Sequence, residues 1–333
     1  MKRRAAGLAL AIVSIGVCVL LAEWVLGAAQ VLEISPQVHR GHPRRGYQPR
    51  AGFDGITKFG IRVHINSIGL RSPEIAVPKP PGTKRVLVLG DSVAFGWGVA
   101  EEETFSRRLE RALRPQLACP VEVVDAGVTG YATVDEADYF THEGLAVEPD
   151  VVLVYYVEND NVSVSHVEGA VANFLKDWVV FRSNLISAGL YAWRLNHWRW
   201  QASAAGGDRA AYEAEQRAWD SRPGTAASLA ALHEIGSAAK RRGMRAILAS
   251  NPNRLSDRSI DEVRNRRLRE VAASDDFVFV DVGPALVPYE GRNLAVSETD
   301  RHPGGFAHGV IAEALLPWVR DALACPLRPS AAR

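Results

Sequence analysis

Val86-Leu87-Val88-Leu89-Gly90-Asp91-Ser92 is an apolar, β-branched-rich run closed by two small polar residues. A strand buried on both faces reads as a continuous hydrophobic run, and parallel strands covered by helices are its usual source. Similar runs at 121–125, 151–155, 245–250 and 277–281 join 85–89 as strand candidates. Apolar spacing turns helical near 104–113, 134–144, 225–242, 259–273 and 305–324. This alternation predicts an α/β chain, with a five-stranded parallel sheet between helical layers in a three-layer α/β/α stack.

In such a sheet ligands bind at the carboxyl ends of the strands, so Ser92 faces the crevice. Gly-Asp-Ser alone is a weak signal, because small polar residues end buried strands and cap helices everywhere. Its company carries more. Gly127-Val128-Thr129-Gly130-Tyr131 follows the second run, Tyr155-Tyr156-Val157-Glu158-Asn159-Asp160 the third, and Asp300-Arg301-His302-Pro303 precedes the last helix. A serine hydroxyl needs an imidazole to take its proton and a carboxylate to hold the imidazole's tautomer. His302 and Asp300 supply both from one loop. An oxyanion needs preorganised donors, and the backbone N–H groups of Ser92 and Gly130 with the Asn159 amide are the candidates. Gly130, lacking a Cβ, lets a carbonyl approach closely. Each residue also has a plain structural reading: Gly130 as the end of a turn, Asn159 as a cap, His302 as a solvated loop residue, Asp300 as a helix cap. Their joint occurrence in this order favours the chemistry. Asp91 is expected to be a structural hydrogen-bonder facing the opposite side of the turn from Ser92.

On these residues the chain resembles the SGNH, or GDSL-type, hydrolase superfamily. Ser92 matches its serine block, Gly130 its glycine, Asn159 its asparagine and His302 its histidine block, in that order. The resemblance runs from about Tyr47 to the last helix, includes Ile65-Asn66-Ser67-Ile68-Gly69-Leu70-Arg71, and looks most like the membrane-anchored bacterial branch. It implies a flavodoxin-like sheet, a Ser92–Asp300–His302 triad, an oxyanion hole of Ser92, Gly130 and Asn159, and no metal or cofactor. Two positions depart from the family pattern. The best-known members carry the acid three residues before the histidine, where this chain has Thr299, and a glycine two before the asparagine, where it has Val157. No Gly-x-Ser-x-Gly elbow surrounds Ser92, which disfavours an α/β-hydrolase.

The 333 residues are 47% hydrophobic and 23% charged, enough for a sizeable core, and the formal net charge of +1 makes no case for nucleic acid as a partner. Basic runs such as Lys240-Arg241-Arg242 read as solvated helix ends. His39 and His42 lack the carboxylate or thiol partners of a metal site, and Gly96-Trp97-Gly98 lacks the further glycine of a dinucleotide loop. Of three cysteines, Cys18 lies in the N-terminal apolar stretch. Helices of a doubly wound fold return to the edge opposite the site, which places Cys119 and Cys325 together and predicts a disulfide in an oxidising compartment.

Met1-Lys2-Arg3-Arg4 precedes an apolar stretch from Ala5 to Ala22 that resumes at Trp24 to Ala29. Its length fits a membrane anchor, and the basic flank keeps it cytoplasmic with the remainder outside. Gly27-Ala28-Ala29 offers the competing reading of a cleaved signal. The expected organisation is an anchor at 1–30, a linker and small β-like flap at 31–84, and a hydrolase domain at 85–333. Within the last, 162–224 is an aromatic-rich insertion carrying Trp178, Tyr191, Trp193, Trp198, Trp200 and Trp219. Trp97 and Tyr131 are placed to line the pocket or pack in the core. The function expected is a periplasm-facing esterase that removes a short acyl group, such as acetyl, from an envelope carbohydrate or lipid through acyl-Ser92. Alternatives are an O-acyltransferase acting on a polysaccharide and a non-catalytic carbohydrate-binding or assembly protein.

Overall fold

The computed structural model describes residues 2–28, 38–57, 60–161, 218–252, 259–297 and 300–328, with isolated positions between 183 and 214. An N-terminal helix, α1 (Lys2–Ala28), is followed by two antiparallel hairpins, β1 (His39–His42) with β2 (Gly46–Pro49) and β3 (Asp54–Ile56) with β4 (Arg62–His64). The main sheet is formed by β5 (Lys84–Gly90), β6 (Val121–Asp125), β7 (Val151–Tyr156), β8 (Arg245–Ser250) and β9 (Phe277–Asp281), all parallel. Its order is β6-β5-β7-β8-β9, the flavodoxin-like arrangement. The order of the strands therefore reverses between β5 and β7, and a crevice opens there.

Side chains of each strand alternate between two buried faces. Val86, Val88, Val123, Leu153, Tyr155 and Ile247 pack towards α3 (Phe105–Leu113) and the last helix, α7 (Gly305–Ala322). Leu87, Leu89, Val124, Val152, Val154 and Leu248 pack towards α4 (Thr133–His142), α5 (Pro223–Arg241) and α6 (Ser259–Ser274). This two-sided burial is why the strands read as unbroken apolar runs. At the opposite edge from the crevice Cys119 and Cys325 are disulfide-bonded, beside a bridge between Leu117 and Leu327.

The described part of the segment read as a linker and small β-like flap, from Val38 on, packs onto the domain. Val38, Val63 and Ile65 form a small core with Phe95, a residue of the turn that follows β5. The reason lies in buried arginines, whose partners are distant in sequence. Arg71 donates to the carbonyls of Phe95 at 2.5 Å, Gly96 at 2.6 Å and Val99 at 2.7 Å, with its guanidinium 4.8 Å from the Phe95 ring centre. Arg45 reaches Asp138 at 2.6 Å, Glu143 at 2.7 Å and the Tyr131 hydroxyl at 3.1 Å. His39 and His42 are buried in β1, and the His42 Nδ1 accepts the Arg45 N–H at 3.2 Å.

Helix α1 contains a stretch, Ala6–Ala28, long and apolar enough to cross a membrane, with mean hydropathy 2.4. It fits either a single-pass anchor or a signal sequence.

Replacing Arg71 with Met leaves the Phe95 and Val99 carbonyls without a donor and the Gly96 carbonyl with only the Val99 N–H, at 3.2 Å. Arg71→Met is expected to cost about 3 kcal/mol or more, read as a lower urea midpoint at unchanged slope.

Candidate active site

Strand β5 ends at Gly90, and a four-residue helix, α2 (Ser92–Phe95), begins at once. Asp91 caps it, its Oδ1 accepting the Val93 N–H at 2.8 Å. Its carboxylate does not face away from Ser92 as expected. The cap folds it back over the first turn, so that Oδ2 accepts from the Ser92 hydroxyl at 3.1 Å and from the Asn159 amide at 3.4 Å. Burial raises the Asp91 pKa, against the hydrogen bond from Val93 and the His302 charge.

The loop after β6 lies directly on this helix. Asp125 accepts the Gly127 N–H at 2.8 Å and the Ser106 hydroxyl at 2.8 Å. A Cβ on Gly127 would sit 2.3 Å from the Phe95 nitrogen, so only glycine fits. Gly130 has φ +81°, a left-handed conformation that also favours glycine. Tyr131 turns away from Ser92: its hydroxyl donates to the Tyr47 carbonyl at 2.6 Å and its side chain is buried between loop and hairpin.

After β7 the chain turns through Glu158 and Asn159, with the Asp160 carboxylate accepting the Val157 N–H at 2.9 Å. Val157, standing where the family pattern has glycine, is buried. Among the described residues, the backbone N–H groups of Ser92 and Gly130 have no acceptor, and the exposed Asn159 reaches the Asp91 carboxylate with its amide. Behind this loop Glu136 and Asp160 are buried, and burial raises both well above the ordinary carboxylate range, with the charges of Asp91 and Asp135 adding to it for Glu136 and those of Glu136 and Asp91 for Asp160.

His302 arrives from the loop before α7. Its Nε2 is 2.9 Å from the Ser92 Oγ and its Nδ1 is 2.7 Å from the Asp300 Oδ1. The same Oδ1 accepts the His302 backbone N–H at 3.0 Å, so the two-residue spacing closes a tight turn. The second oxygen of Asp300 accepts the Trp97 indole N–H at 2.8 Å. Nothing in the sequence pairs Trp97 with Asp300, although its nearness to the serine block singled it out. Burial opposes charge on Asp300, but the hydrogen bonds from His302 and Trp97 prevail and bring its pKa to about 2. Burial also disfavours a charged His302, yet Asp300, Asp91 and Glu158 outweigh it and raise the imidazole pKa.

Of the insertion's aromatic residues, Trp219 is buried edge-on to Tyr156, their ring centres 6.3 Å apart, and Trp193 is 65% exposed. Trp178, Tyr191, Trp198 and Trp200 lie outside the described residues, as does Thr299.

Residues 88–310, more than half the chain, match the family described as GDSL-like Lipase/Acylhydrolase. The chain belongs to this family. It is therefore an ester-hydrolysing serine hydrolase. It is similar to the crystal structure of TesA, at 17% identity and a TM-score of 0.46, over 72% of this chain and 99% of that one. It is also similar to a lipase/acylhydrolase from Enterococcus faecalis, at 17% identity and a TM-score of 0.42, over 75% and 100%. A third is an acetyl-xylooligosaccharide esterase from Geobacillus Stearmophilus, at 14% identity and a TM-score of 0.43, over 74% and 97%. No curated protein matches the chain.

Because the Gly127 backbone lies against α2, an added methyl must push the GDSL serine turn. Gly127→Ala is expected to cost about 1–3 kcal/mol in chemical denaturation and to lower esterase activity in the fraction that stays folded.

Proposed function

We propose that Ser92 is the nucleophile, His302 the general base and Asp300 the residue that orients and charges the imidazole. The observation that carries this reading is the unbroken line from Ser92 Oγ through His302 Nε2 and Nδ1 to Asp300 Oδ1, at 2.9 and 2.7 Å. As Oγ attacks an ester carbonyl, its proton passes to Nε2. The carbonyl π pair moves onto oxygen, where the N–H groups of Ser92 and Gly130 and the Asn159 amide stabilise it. Collapse breaks the C–O bond, and the departing alkoxide takes the proton from Nε2. Water, deprotonated by the same nitrogen, then attacks the acyl carbon, and the bond to Ser92 Oγ breaks as Oγ takes the proton back from Nε2, releasing the acid. Each step uses groups of this chain, without a metal or cofactor.

In this reading the acyl group is short, acetyl being the first choice, and the ester belongs to an envelope carbohydrate or lipid. Helix α1 stays attached as an anchor and the hydrolase domain faces the periplasm. The basic N-terminal cluster supports that orientation, since Lys and Arg next to a span remain cytoplasmic.

Hydrolysis of p-nitrophenyl acetate, butyrate and octanoate by the folded protein tests the reading. Acetate is expected to be cleaved fastest, with Ser92→Ala reduced to background; equal rates in wild type and variant would remove Ser92 from the mechanism. The acid limb of kcat/KM is expected to have its midpoint above the ordinary histidine value of about 6.5, because neutral His302 is the active form and its pKa is raised. Asp300→Asn should lower that midpoint and reduce kcat by about 10³–10⁴-fold. Trp97→Phe removes one hydrogen bond from a carboxylate, so kcat/KM should fall by roughly tenfold while the protein stays folded.

A further inference from the structure

Glu23 is the one acidic residue within the apolar span of α1. The described structure gives its carboxylate three donors from the insertion: the Ser183 hydroxyl at 3.0 Å, the Leu185 N–H at 3.0 Å and the Asn184 N–H. The Ser183 oxygen in turn accepts the Ile186 N–H at 3.1 Å, which caps the turn of helix starting at 184. On the described part of α1, only Ala22, Glu23 and Leu26 are less than exposed, and they share one face at its outer end. A Cβ on neighbouring Gly27 would lie 3.0 Å from the Asn184 amide nitrogen. The contact is therefore a fitted one, made by charge, backbone and shape together.

Depth follows from helix geometry. At about 1.5 Å per residue Glu23 lies about 26 Å along the axis from Ala6, near the outer edge of a hydrocarbon layer about 30 Å thick. A carboxylate there needs partners, and the insertion brings them to that level. The residues around the contact suit the same environment: Leu185 is 37%, Ile186 39% and Trp193 65% exposed. Aliphatic side chains with a tryptophan are the composition of the lipid–water interface.

We propose that the turn at Ser183–Ile186 docks on α1 through Glu23 and lies in the headgroup region of the outer leaflet, so that the bilayer covers Leu185, Ile186 and Trp193. This rests on the reading of α1 as a retained anchor. It also ties the site to the membrane, because the insertion begins just beyond the Asn159 turn. Its root is closed by Asn161, which accepts from Arg222 at 3.2 Å and donates to the Thr225 hydroxyl at 2.7 Å. The enzyme would then work on esters presented at the bilayer surface and not throughout the compartment.

The test uses the full chain with Cys18→Ala and Ile186→Cys, labelled with an environment-sensitive fluorophore and reconstituted into phosphatidylethanolamine–phosphatidylglycerol vesicles. Expected are blue-shifted emission and strong quenching by lipids with a nitroxide near the headgroup. Glu23→Ala should return the emission towards its value in water while hydrolysis of p-nitrophenyl acetate is unchanged. A Gly27→Cys, Asn184→Cys pair should cross-link on oxidation. Water-like emission from a chain whose mass includes α1 would overturn the proposal alone. Blue-shifted emission insensitive to nitroxide lipid would assign the cover to protein and overturn it too. Loss of α1 from chains recovered from cells would overturn it together with the anchor reading, leaving the serine chemistry untouched.

Discussion

The site depends on one topological constraint: β5 and β7 are neighbours in the sheet, and the connections from them leave in opposite directions. Where that happens, the loops that follow β6, β5 and β7 converge over a single opening. Ser92, Gly130 and Asn159 come from those three adjacent strands. Hydrogen bonds between them fix the convergence, as when the Val128 N–H donates to the Gly90 carbonyl at 3.0 Å. His302 enters from the far end of the chain because α7 packs on α3, the first long helix after the serine turn.

The short spacing between Asp300 and His302 has a physical account. A carboxylate oxygen that accepts both the backbone and the ring N–H of a residue two positions on forms a closed turn, which fixes the imidazole without help from a longer loop. Its other oxygen, on a side chain only 9% exposed, needs a donor of its own. The Trp97 indole satisfies it, and the ring lies 5.6 Å from the imidazole. Spacing of two or three residues is thus a choice of turn, provided each carboxylate oxygen finds a donor.

The sheet was legible because parallel strands buried on both faces have no polar side, and β5 to β9 fall within a residue or so of the apolar runs. The four family landmarks were legible because each follows a strand or precedes a helix. What was not legible is held by partners far away in sequence. Arg71 and Arg45 sit in a stretch rich in proline, glycine and arginine, a composition that reads as a solvated linker, and only the fold brings carbonyls and carboxylates to them. Asp91 misled for a local reason: capping geometry turned its carboxylate towards Ser92 and Asn159, where strand alternation alone suggested the reverse. Trp97 was singled out by position but not by role, since an indole donor carries no signal of its acceptor.

The Cys119–Cys325 bond spans 206 residues and closes a covalent ring that contains Gly130, Asn159, Asp300 and His302 but excludes Ser92. Any single cut inside the ring, including one in the long insertion, leaves the two pieces joined at the edge remote from the site. A protease in an oxidising compartment could therefore nick this enzyme without separating its histidine from its serine, and the damage would become visible as two fragments only after reduction.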